Sequence, residues 1–567
     1  MKLVTLSANR ASFRKISFNP TGLTLILGDG AHSSDHQEGD SNGVGKTLAL
    51  RLIHHCLGGQ KPPKAIAVGA PDWIFRLDVS VGASSHRLER TGDGKLIALD
   101  EREIRISELR SWLNQNGGFS LKEGSPYSFR SLFPRFSRPD ASDCINPVVL
   151  SAETPSQALQ RTLYLLNGDD QLAWRKEELK NDYERYRNEL KLFNDTPTIR
   201  DVFTAGHKPT FRLKELGDQI PRLRTELAEF VVAEDYREVE AAIASLTAKI
   251  RQAADDARLK EFEFAGIREA KIQRNDITKD ELLSLYEGLE NIFQPAVLRH
   301  FDEVEAFQVA LVTNRTGRLA REESRLESEI NELKSQVRSL ESARGELIDR
   351  INGKRALEEY ATISRNLAAL EEERRRLESY VQFDQITKQK MQDVRLEMVR
   401  QDALALQYAQ AEPLAKLDSK YRALVHALYP DATAGISLVN NDGANKLRFN
   451  LDVLVQGQDS DGIGNARVIC FDWLLFTGAR PNELGFLWHD NRLFADLDPK
   501  PRAAWFSAML GSEHLQDHQY IASLNSENFE SMIPNLTAQE VTRMQESVAL
   551  TLQGDRDSNR LMGIRFG

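Results

Sequence analysis

The spacing of apolar and polar positions divides this chain into three regions. Residues 1–168 and 416–567 carry short apolar runs separated by turn residues, a texture that predicts strands and short helices. Residues 169–415 are dominated by Glu, Lys, Arg, Leu and Ala, and Gly and Pro are rare over long stretches, which predicts long helices. We expect that neither outer region closes a core alone and that the two fold together as halves of one α/β domain.

A heptad ladder in the middle region predicts a coiled coil. Its apolar positions alternate between spacings of three and four over more than four heptads, with breaks at Glu323 and Arg344, so that one seam faces a partner helix. The seam consists of Leu319, Leu326, Ile330, Leu333, Val337, Leu340, Leu347 and Ile351.

An earlier helical segment, residues 211–265, is the predicted partner of this ladder. Its apolar stripe runs from Leu213 to Leu227, and the composition of residues 275–295 is less regular. Two helical segments on either side of a reversal near 275–300 predict an antiparallel coiled coil. Helix-breaking residues within 194–209 predict an elbow in it.

Apolar runs in the outer regions predict individual strands and helices. Turn residues 91–94 and 441–443 lie between such runs, which is the pattern of a β-hairpin. The predicted strands are residues 2–6, 23–27, 73–79, 87–90, 96–99, 436–439, 446–455, 484–488 and 519–524, and the predicted helices are residues 48–57 and 468–476.

Composition and charge narrow the class of protein. Of 567 residues, 28% are charged and 8% are aromatic, and the formal net charge is −10. That charge argues against a protein that coats nucleic acid, although local contact with DNA depends on patches. No apolar run is long enough to span a bilayer, and the N-terminus has no signal-peptide pattern, so we expect a cytoplasmic protein. The three separated cysteines are expected to be buried thiols, and no Cys-x-x-Cys pair supports a zinc hook.

A glycine-rich turn between a predicted strand and a predicted helix carries the clearest chemistry. Glycines let the backbone approach a phosphate, and the N–H groups of the turn point at it. A lysine there reaches the terminal phosphates, and a following threonine can place its hydroxyl on Mg²⁺. The turn, which we predict to bind phosphate, reads Ser41, Asn42, Gly43, Val44, Gly45, Lys46, Thr47.

An insertion interrupts this phosphate loop. The usual first glycine, five residues before Gly45, is replaced by Asp40, and residues 28–40 lie between the strand and the turn. A metal site, a lid over the nucleotide and a solvated loop are all compatible with the insertion, and we interpret it as a solvated loop. Its candidate ligands are His32, Asp35, His36, Glu38 and Asp40.

Two motifs near the C-terminus suit the same chemistry. An apolar strand ends on Asp490, and an acid beside a phosphate loop helps to hold Mg²⁺. Ser460, Gly462 and Gly464 precede an apolar helix, and such a helix N-terminus offers a second phosphate-binding surface. An ordinary strand end and an ordinary N-cap would explain each motif alone, but their order after a coiled coil favours nucleotide binding.

In this arrangement the chain resembles the SMC, RecN and SbcC branch of ABC-type ATPases. Within the branch it is most similar to short bacterial SMC-like ATPases, several of which belong to multi-component anti-phage defence systems. The closer match lies in residues 40–46, 462–464 and 489–494. The resemblance implies an α/β fold. An ABC-type (P-loop) ATPase head would be assembled from residues 1–168 and 416–567, with an antiparallel coiled coil, residues 169–415, inserted.

The resemblance also implies roles for the motifs. Lys46 and Thr47 would form the Walker A pair and Asp490 would be the Walker B acid. The serine and glycines at 460–464 would close on ATP held by a second copy, and Asp498 would belong to the D-loop. ATP and Mg²⁺ are the implied cofactors, with Thr47 and Asp490 as metal ligands. The implied nucleotide contacts are Asn42, Gly43, Val44, Gly45, Lys46, Thr47, Ser460, Gly462, Gly464 and Asp498.

The sequence departs from the family pattern around the hydrolytic chemistry. Asn491 follows Asp490 where the family has a catalytic glutamate, and an amide is a poor acceptor for a proton of water. Asn525 ends the switch strand where relatives have a histidine, and no Q-loop glutamine lies at residues 127–130, where we expect that loop. We therefore predict slow or partner-triggered hydrolysis. Candidate substitutes for the general base are His489, Asp496 and Glu527.

Three functions suit these features. The first is an SMC-like ATPase that binds ATP between dimerised heads, senses or clamps DNA and controls a separate effector in anti-phage defence. A DNA-repair clamp acting with a nuclease is the second, and Asn491 and the missing zinc hook count against it. A coiled-coil scaffold with little ATPase activity is the third, and the intact Lys46–Thr47 pair counts against it. The implied partners are a second copy, DNA, and separate accessory and effector proteins, with no membrane. The charge run at 371–376 is interpreted as a solvated coiled-coil face.

Overall fold

A computed structural model of the chain describes ten stretches, which are residues 1–29, 43–119, 121–122, 124–195, 203–204, 208–229, 235–272, 301–349, 355–478 and 484–564. The chain separates into a head unit, Met1–Asn181 with Glu397–Gly567, and a helical unit, Asp182–Leu396. Residues 30–40 of the insertion predicted at 28–40 and the reversal near 275–300 lie outside the described residues, as does most of the predicted elbow.

A four-stranded parallel sheet joins the two ends of the chain in the head unit. Its strand order is β10-β11-β3-β12, so the N-terminal strand lies between two C-terminal strands. Six of the eight residues of β3 are buried, as expected for a parallel strand covered on both faces. The strands are β3 (Gly22–Asp29), β10 (Phe486–His489), β11 (Gln519–Asn525) and β12 (Val548–Gln553).

Two antiparallel sheets complete the strands of the head unit. The larger one has the order β2-β1-β4-β5-β6-β7, and the smaller one pairs β8 with β9. Both predicted hairpins are confirmed by the pairing of β5 with β6 and of β8 with β9. The strands are β1 (Lys2–Ala8), β2 (Ile16–Ser17), β4 (Ile74–Val81), β5 (Ser84–Thr91), β6 (Ile97–Leu99), β7 (Arg102–Glu103), β8 (Ala434–Asn440) and β9 (Phe449–Val455).

Strand β9 begins three residues later than the sequence predicts. The buried Arg448 forms an ion pair with Asp402, and Lys176 donates to the Asn441 carbonyl at 2.5 Å. Cross-strand pairing starts at Phe449, opposite Asn440.

Helices cover the sheets of the head unit. The predicted buried helix is longer than its apolar run, because α12 begins at Asp461 within the glycine-containing motif. The helices are α1 (Lys46–Cys56), α2 (Lys64–Gly69), α3 (Ile106–Asn116), α4 (Phe129–Leu132), α5 (Pro155–Leu165), α11 (Ala415–Leu428), α12 (Asp461–Thr477), α13 (Pro499–Leu510), α14 (Ser526–Met532) and α15 (Ala538–Glu546). Cys56, Cys144 and Cys470 are free and buried, as predicted.

The helical unit contains the predicted ladder. Its helices, two of which extend beyond its limits, are α6 (Asp170–Asp195), α7 (Pro209–Glu229), α8 (Asp235–Ile272), α9 (Phe301–Asp349) and α10 (Arg355–Gln410). Ion pairs Lys271–Glu323 and Lys334–Glu261 show that α8 and α9 run antiparallel, with Leu326 of the ladder buried. No described helix is long and apolar enough to cross a membrane.

The helical unit is more than a two-helix coil. Helix α10 runs in the same direction as α8, as the ion pairs Arg251–Glu371 (2.7 Å) and Arg375–Asp255 (3.0 Å) show. Helix α7 packs Leu216 against α10. Part of the charge run at 371–376 therefore faces other helices, and its interpretation as a solvated face is wrong for Glu371, whose carboxylate also accepts from Arg224.

Buried histidines predict a loss of stability in mild acid. His55 on α1 lies beside the Thr91 carbonyl, and burial, followed by the Arg90 guanidinium, lowers the pKa of His55 to about 4. The unfolded chain, with a His pKa near 6.5, therefore takes up a proton before the folded chain does. From this residue alone we expect the free energy of unfolding to fall by about 2 kcal/mol between about pH 7.5 and about pH 5.

Denaturant unfolding at several pH values measures this loss. The variant His55→Gln keeps a neutral polar group and should show a shallower pH dependence over that range. Equal slopes in the two proteins would contradict the assignment to His55.

Candidate functional site

The end of the glycine-rich turn enters helix α1 through a left-handed residue. Gly45 has φ 111° and immediately precedes Lys46, the first residue of α1. A side chain is excluded there both by the backbone conformation and by space, since a Cβ on Gly45 would lie 2.5 Å from Leu561 Cβ. The N–H groups of the first helical turn are thereby available to an anion. Asn42, a predicted contact, lies outside the described residues.

The C-terminal segment holds the carbonyls of this turn. Arg560 Nη1 donates to the Gly43 carbonyl at 2.8 Å, and the Leu561 N–H donates to the Val44 carbonyl at 3.0 Å. Leu561 is itself fully buried. The glycine-rich turn is therefore shaped by residues at the opposite end of the sequence.

Lys46 lies against the end of strand β3. Its side chain is 5% exposed, and a Cβ added to Gly28 would overlap the Lys46 ammonium. A glycine at position 28 thus leaves the space that the lysine occupies. The ammonium is consequently held at the carboxyl end of the parallel sheet, beside the turn.

Asp490 contacts Thr47, which follows the glycine-rich turn. Thr47 Oγ1 donates to Asp490 Oδ2 at 3.0 Å, although the two residues are 443 positions apart. Asp490 is 2% exposed, and its Oδ1 accepts no hydrogen bond from the described part of the chain. A buried carboxylate with a spare oxygen, next to a hydroxyl, suits a hard divalent cation such as Mg²⁺.

His489 faces the core, away from its neighbour Asp490. Its Nδ1 lies 2.9 Å from the Tyr520 hydroxyl, and its Nε2 lies 3.5 Å from Asp472 Oδ2. Burial lowers the pKa of His489. A side chain enclosed in this way is not placed to accept a proton from water at Thr47, so we give it a packing role instead of the general-base role predicted from the sequence.

Asn491 ties two strand ends together. Its Oδ1 accepts from the Asn525 N–H at 2.8 Å and from Asn528 Nδ2 at 3.3 Å. The amide oxygen, which is the acceptor of this side chain, is therefore occupied. Asn491 links the end of β10 to the end of β11, and this contact explains the residue without a role in proton transfer.

Ser137 and Pro139 lie next to strand β10 and the turn that follows it, and the Q-loop expected at residues 127–130 stays a prediction. Ser137 forms a parallel bridge with Trp488, and the Pro139 carbonyl accepts from Arg51 Nε at 3.4 Å and Arg492 Nη1 at 3.3 Å. By contrast, the Tyr127 hydroxyl is bound to Asp170 at 2.5 Å.

The second predicted phosphate-binding motif, residues 460–464, lies against the segment that contains the predicted D-loop. Asn465 Nδ2 donates to Asp496 Oδ2 at 3.2 Å, and a Cβ on Gly462 would lie 2.5 Å from the Asp496 carbonyl oxygen. Ser460 is exposed just before α12, and Asp498 is exposed just before α13. The structure therefore places the predicted motif residues of 460–464 near the D-loop segment. Asp496, bound to Asn465, is not beside Thr47 in any described contact.

Several residues around the site escaped sequence analysis. Arg492 and Asp140 lie close in sequence to predicted motifs, but a single charged residue after a motif carries no signal by itself. Arg560 has no sequence signal at all, because its partner Gly43 is 517 positions away. Among the described residues, no group of three or more His, Cys, Asp or Glu side chains could hold a metal ion. The histidines of the insertion lie outside those residues.

One protein family matches the C-terminal part of the chain. Residues 424–566 match a family described as "Uncharacterised protein conserved in bacteria (DUF2326)". No curated protein matches the chain.

Two solved structures are similar to the chain over most of its length. One is the Smc head domain with a coiled coil and joint from Pyrococcus yayanosii, with 15% identity, 96% of this chain and 99% of that chain covered, and a TM-score of 0.37. The other is the Smc head domain with an extended coiled coil bound to the C-terminal domain of ScpA from Pyrococcus furiosus. For it the identity is 12%, the coverage is 94% of this chain and 92% of that chain, and the TM-score is 0.32.

Proposed function

We propose that the chain is an SMC-like ATPase whose head unit binds ATP with Mg²⁺. The contact of Thr47 with Asp490, 3.0 Å across 443 positions of sequence, carries this proposal. It unites a glycine-rich turn, a buried lysine and a buried acid at the carboxyl ends of parallel strands, which is where open α/β sheets bind ligands.

Each residue has a distinct task in this proposal. The N–H groups after Gly45 and the Lys46 ammonium bind phosphate oxygens, and Thr47 with Asp490 would hold Mg²⁺. The metal would neutralise charge that develops on the transferred phosphoryl group. Residue 491 is an asparagine, so no carboxylate follows Asp490 to take a proton from water. The Asn491 oxygen also already accepts two hydrogen bonds. Turnover is therefore proposed to be slow or dependent on a partner.

A second copy of the chain would complete the site. Ser460 and Asp461 are exposed at the N-terminus of α12, a helix of 17 residues whose dipole favours an anion there. The proposal is a homodimer in which this surface of one head contacts ATP on the other. DNA sensing or clamping, a separate effector and a role in anti-phage defence extend the proposal, and they rest on the sequence resemblance.

ATP-dependent dimerisation tests the proposed function. We expect the wild-type protein to shift from monomer to dimer in light scattering when a slowly hydrolysed ATP analogue and Mg²⁺ are added. The variant Ser460→Arg should abolish the shift, because it puts a bulky cation on the contact surface.

The matched control is Ser419→Arg, an exposed serine on α11, which should leave the ATP-induced dimer intact. A monomer under all conditions would contradict the dimer. ATP turnover of the wild-type protein that is rapid and unchanged by DNA would contradict the partner-dependent cycle.

A further inference from the structure

A guanidinium group shares the carboxylate of Asp490 with Thr47. Arg492 Nε lies 3.6 Å from Asp490 Oδ2, the same oxygen that accepts from the Thr47 hydroxyl at 3.0 Å. The Arg492 side chain is 32% exposed, whereas that of Asp490 is 1% exposed. Arg492 therefore approaches the acid from the open side of the site.

The main chain of Arg492 is held firmly. Its carbonyl accepts from Asn465 Nδ2 at 3.2 Å, and the short turn Asn491–Leu493 is closed by the Leu493 N–H on the Asp490 carbonyl at 3.0 Å. Any change of partner by Arg492 therefore has to come from its side chain. The same carbonyl contact connects this residue to α12, the helix that begins at the second phosphate-binding motif.

Two cations would compete for Asp490 when nucleotide binds. The guanidinium and a divalent ion on Asp490 and Thr47 would lie a few ångströms apart, and like charges at that distance repel each other. The Arg492 side chain would then turn away from Asp490. The terminal phosphate that shares the metal is the adjacent anion, and the planar fork of arginine binds phosphate oxygens in pairs.

We propose that Arg492 distinguishes a nucleoside triphosphate from a diphosphate. Without a terminal phosphate it pairs with Asp490, and with one it binds that phosphate while its main chain stays on Asn465. This inference rests on the proposed ATP-binding function. It makes Arg492 the residue through which the terminal phosphate is sensed next to the helix that faces a second copy.

The affinities of ATP and ADP for one Arg492 variant test the inference. Arg492→Gln should weaken ATP binding about tenfold in competition with a fluorescent nucleotide, since one charge-assisted contact is lost. ADP affinity should stay within about twofold of wild type, because ADP lacks the phosphate that Arg492 binds. Arg492→Lys should recover part of the ATP affinity, because it keeps the charge without the fork.

The matched control is Arg51→Gln. Arg51 contacts the same Pro139 carbonyl as Arg492, but its charge partner is Asp140, at 2.9 Å. Its loss should leave the ratio of ATP to ADP affinity unchanged.

The possible failures are distinguishable. If the wild-type protein binds both nucleotides and the ratio of ATP affinity to ADP affinity is unchanged in both Arg492 variants, only the role of Arg492 is overturned. Wild-type protein that binds neither nucleotide would overturn the proposed function as well. Should Arg492→Gln not fold, the ratio measured for Arg492→Lys decides between these outcomes.

Discussion

Replacing Lys46 with alanine is expected to weaken ATP binding by about 30- to 150-fold. Lys46 is 5% exposed, and its ammonium lies at the end of β3, where it would meet the terminal phosphates. Charge-assisted hydrogen bonds of this kind contribute roughly 2–3 kcal/mol, which corresponds to that loss of affinity. Equilibrium competition against a fluorescent ATP analogue measures it.

A control separates lost binding from lost folding. Lys95 is 87% exposed and pairs with Asp93 at 3.0 Å in the β5–β6 turn, so Lys95→Ala removes a lysine without touching the phosphate loop. It should bind ATP like the wild type. Unchanged ATP affinity in a folded Lys46→Ala protein would remove Lys46 from the nucleotide site.

The largest expected effect on stability comes from one buried ion pair. Arg138 donates to both carboxylate oxygens of Asp472, each at 2.6 Å, and both side chains are 1% exposed. Replacing Asp472 with alanine leaves a guanidinium buried without its counter-charge. We expect the free energy of unfolding to fall by about 3–5 kcal/mol, measured by chemical denaturation.

An exposed pair gives the comparison for this prediction. Lys95→Ala should change the free energy of unfolding by less than about 0.5 kcal/mol, because exposed ion pairs contribute little. An Asp472→Ala protein as stable as the Lys95→Ala protein would show that the buried pair contributes nothing. In that case the contact between residues 137–140 and α12 would need another explanation.

The sequence alone identifies candidate residues where a motif is contiguous. The residues from Gly43 to Thr47 form a contiguous motif, and Asp490 ends an apolar run, so both could be named without a structure. Their meeting could not be measured from the sequence, since 443 positions separate Thr47 from Asp490. The resemblance to a family suggested it.

Long-range pairing accounts for what the sequence did not reveal. The contact of Arg560 with Gly43 joins residues 517 positions apart, and nothing near Arg560 in sequence marks it. Ion pairs such as Arg251–Glu371 show that α8 and α10 run parallel. Heptad spacing does not predict such pairs. The bridge between Ser137 and Trp488 is likewise a pairing of distant residues that no local motif marks.

Polar residues beside a motif were also open to misinterpretation. His489 is next to Asp490 in sequence, yet alternation along a strand places neighbouring side chains on opposite faces. Its ring consequently meets Tyr520 in the core. Asn491 could be named from the sequence, but only its contact with Asn525 shows that its amide oxygen is already used.

The most direct measurement is the position of the metal in the nucleotide complex. Crystals grown with Mn²⁺ and a slowly hydrolysed ATP analogue would give an anomalous signal for the ion. We predict one Mn²⁺ peak within coordinating distance of both Thr47 Oγ1 and Asp490, with the phosphates along Gly45 and Lys46. Nucleotide bound elsewhere, or a Mn²⁺ peak that Asp490 does not contact, would contradict a site built from both ends of this chain.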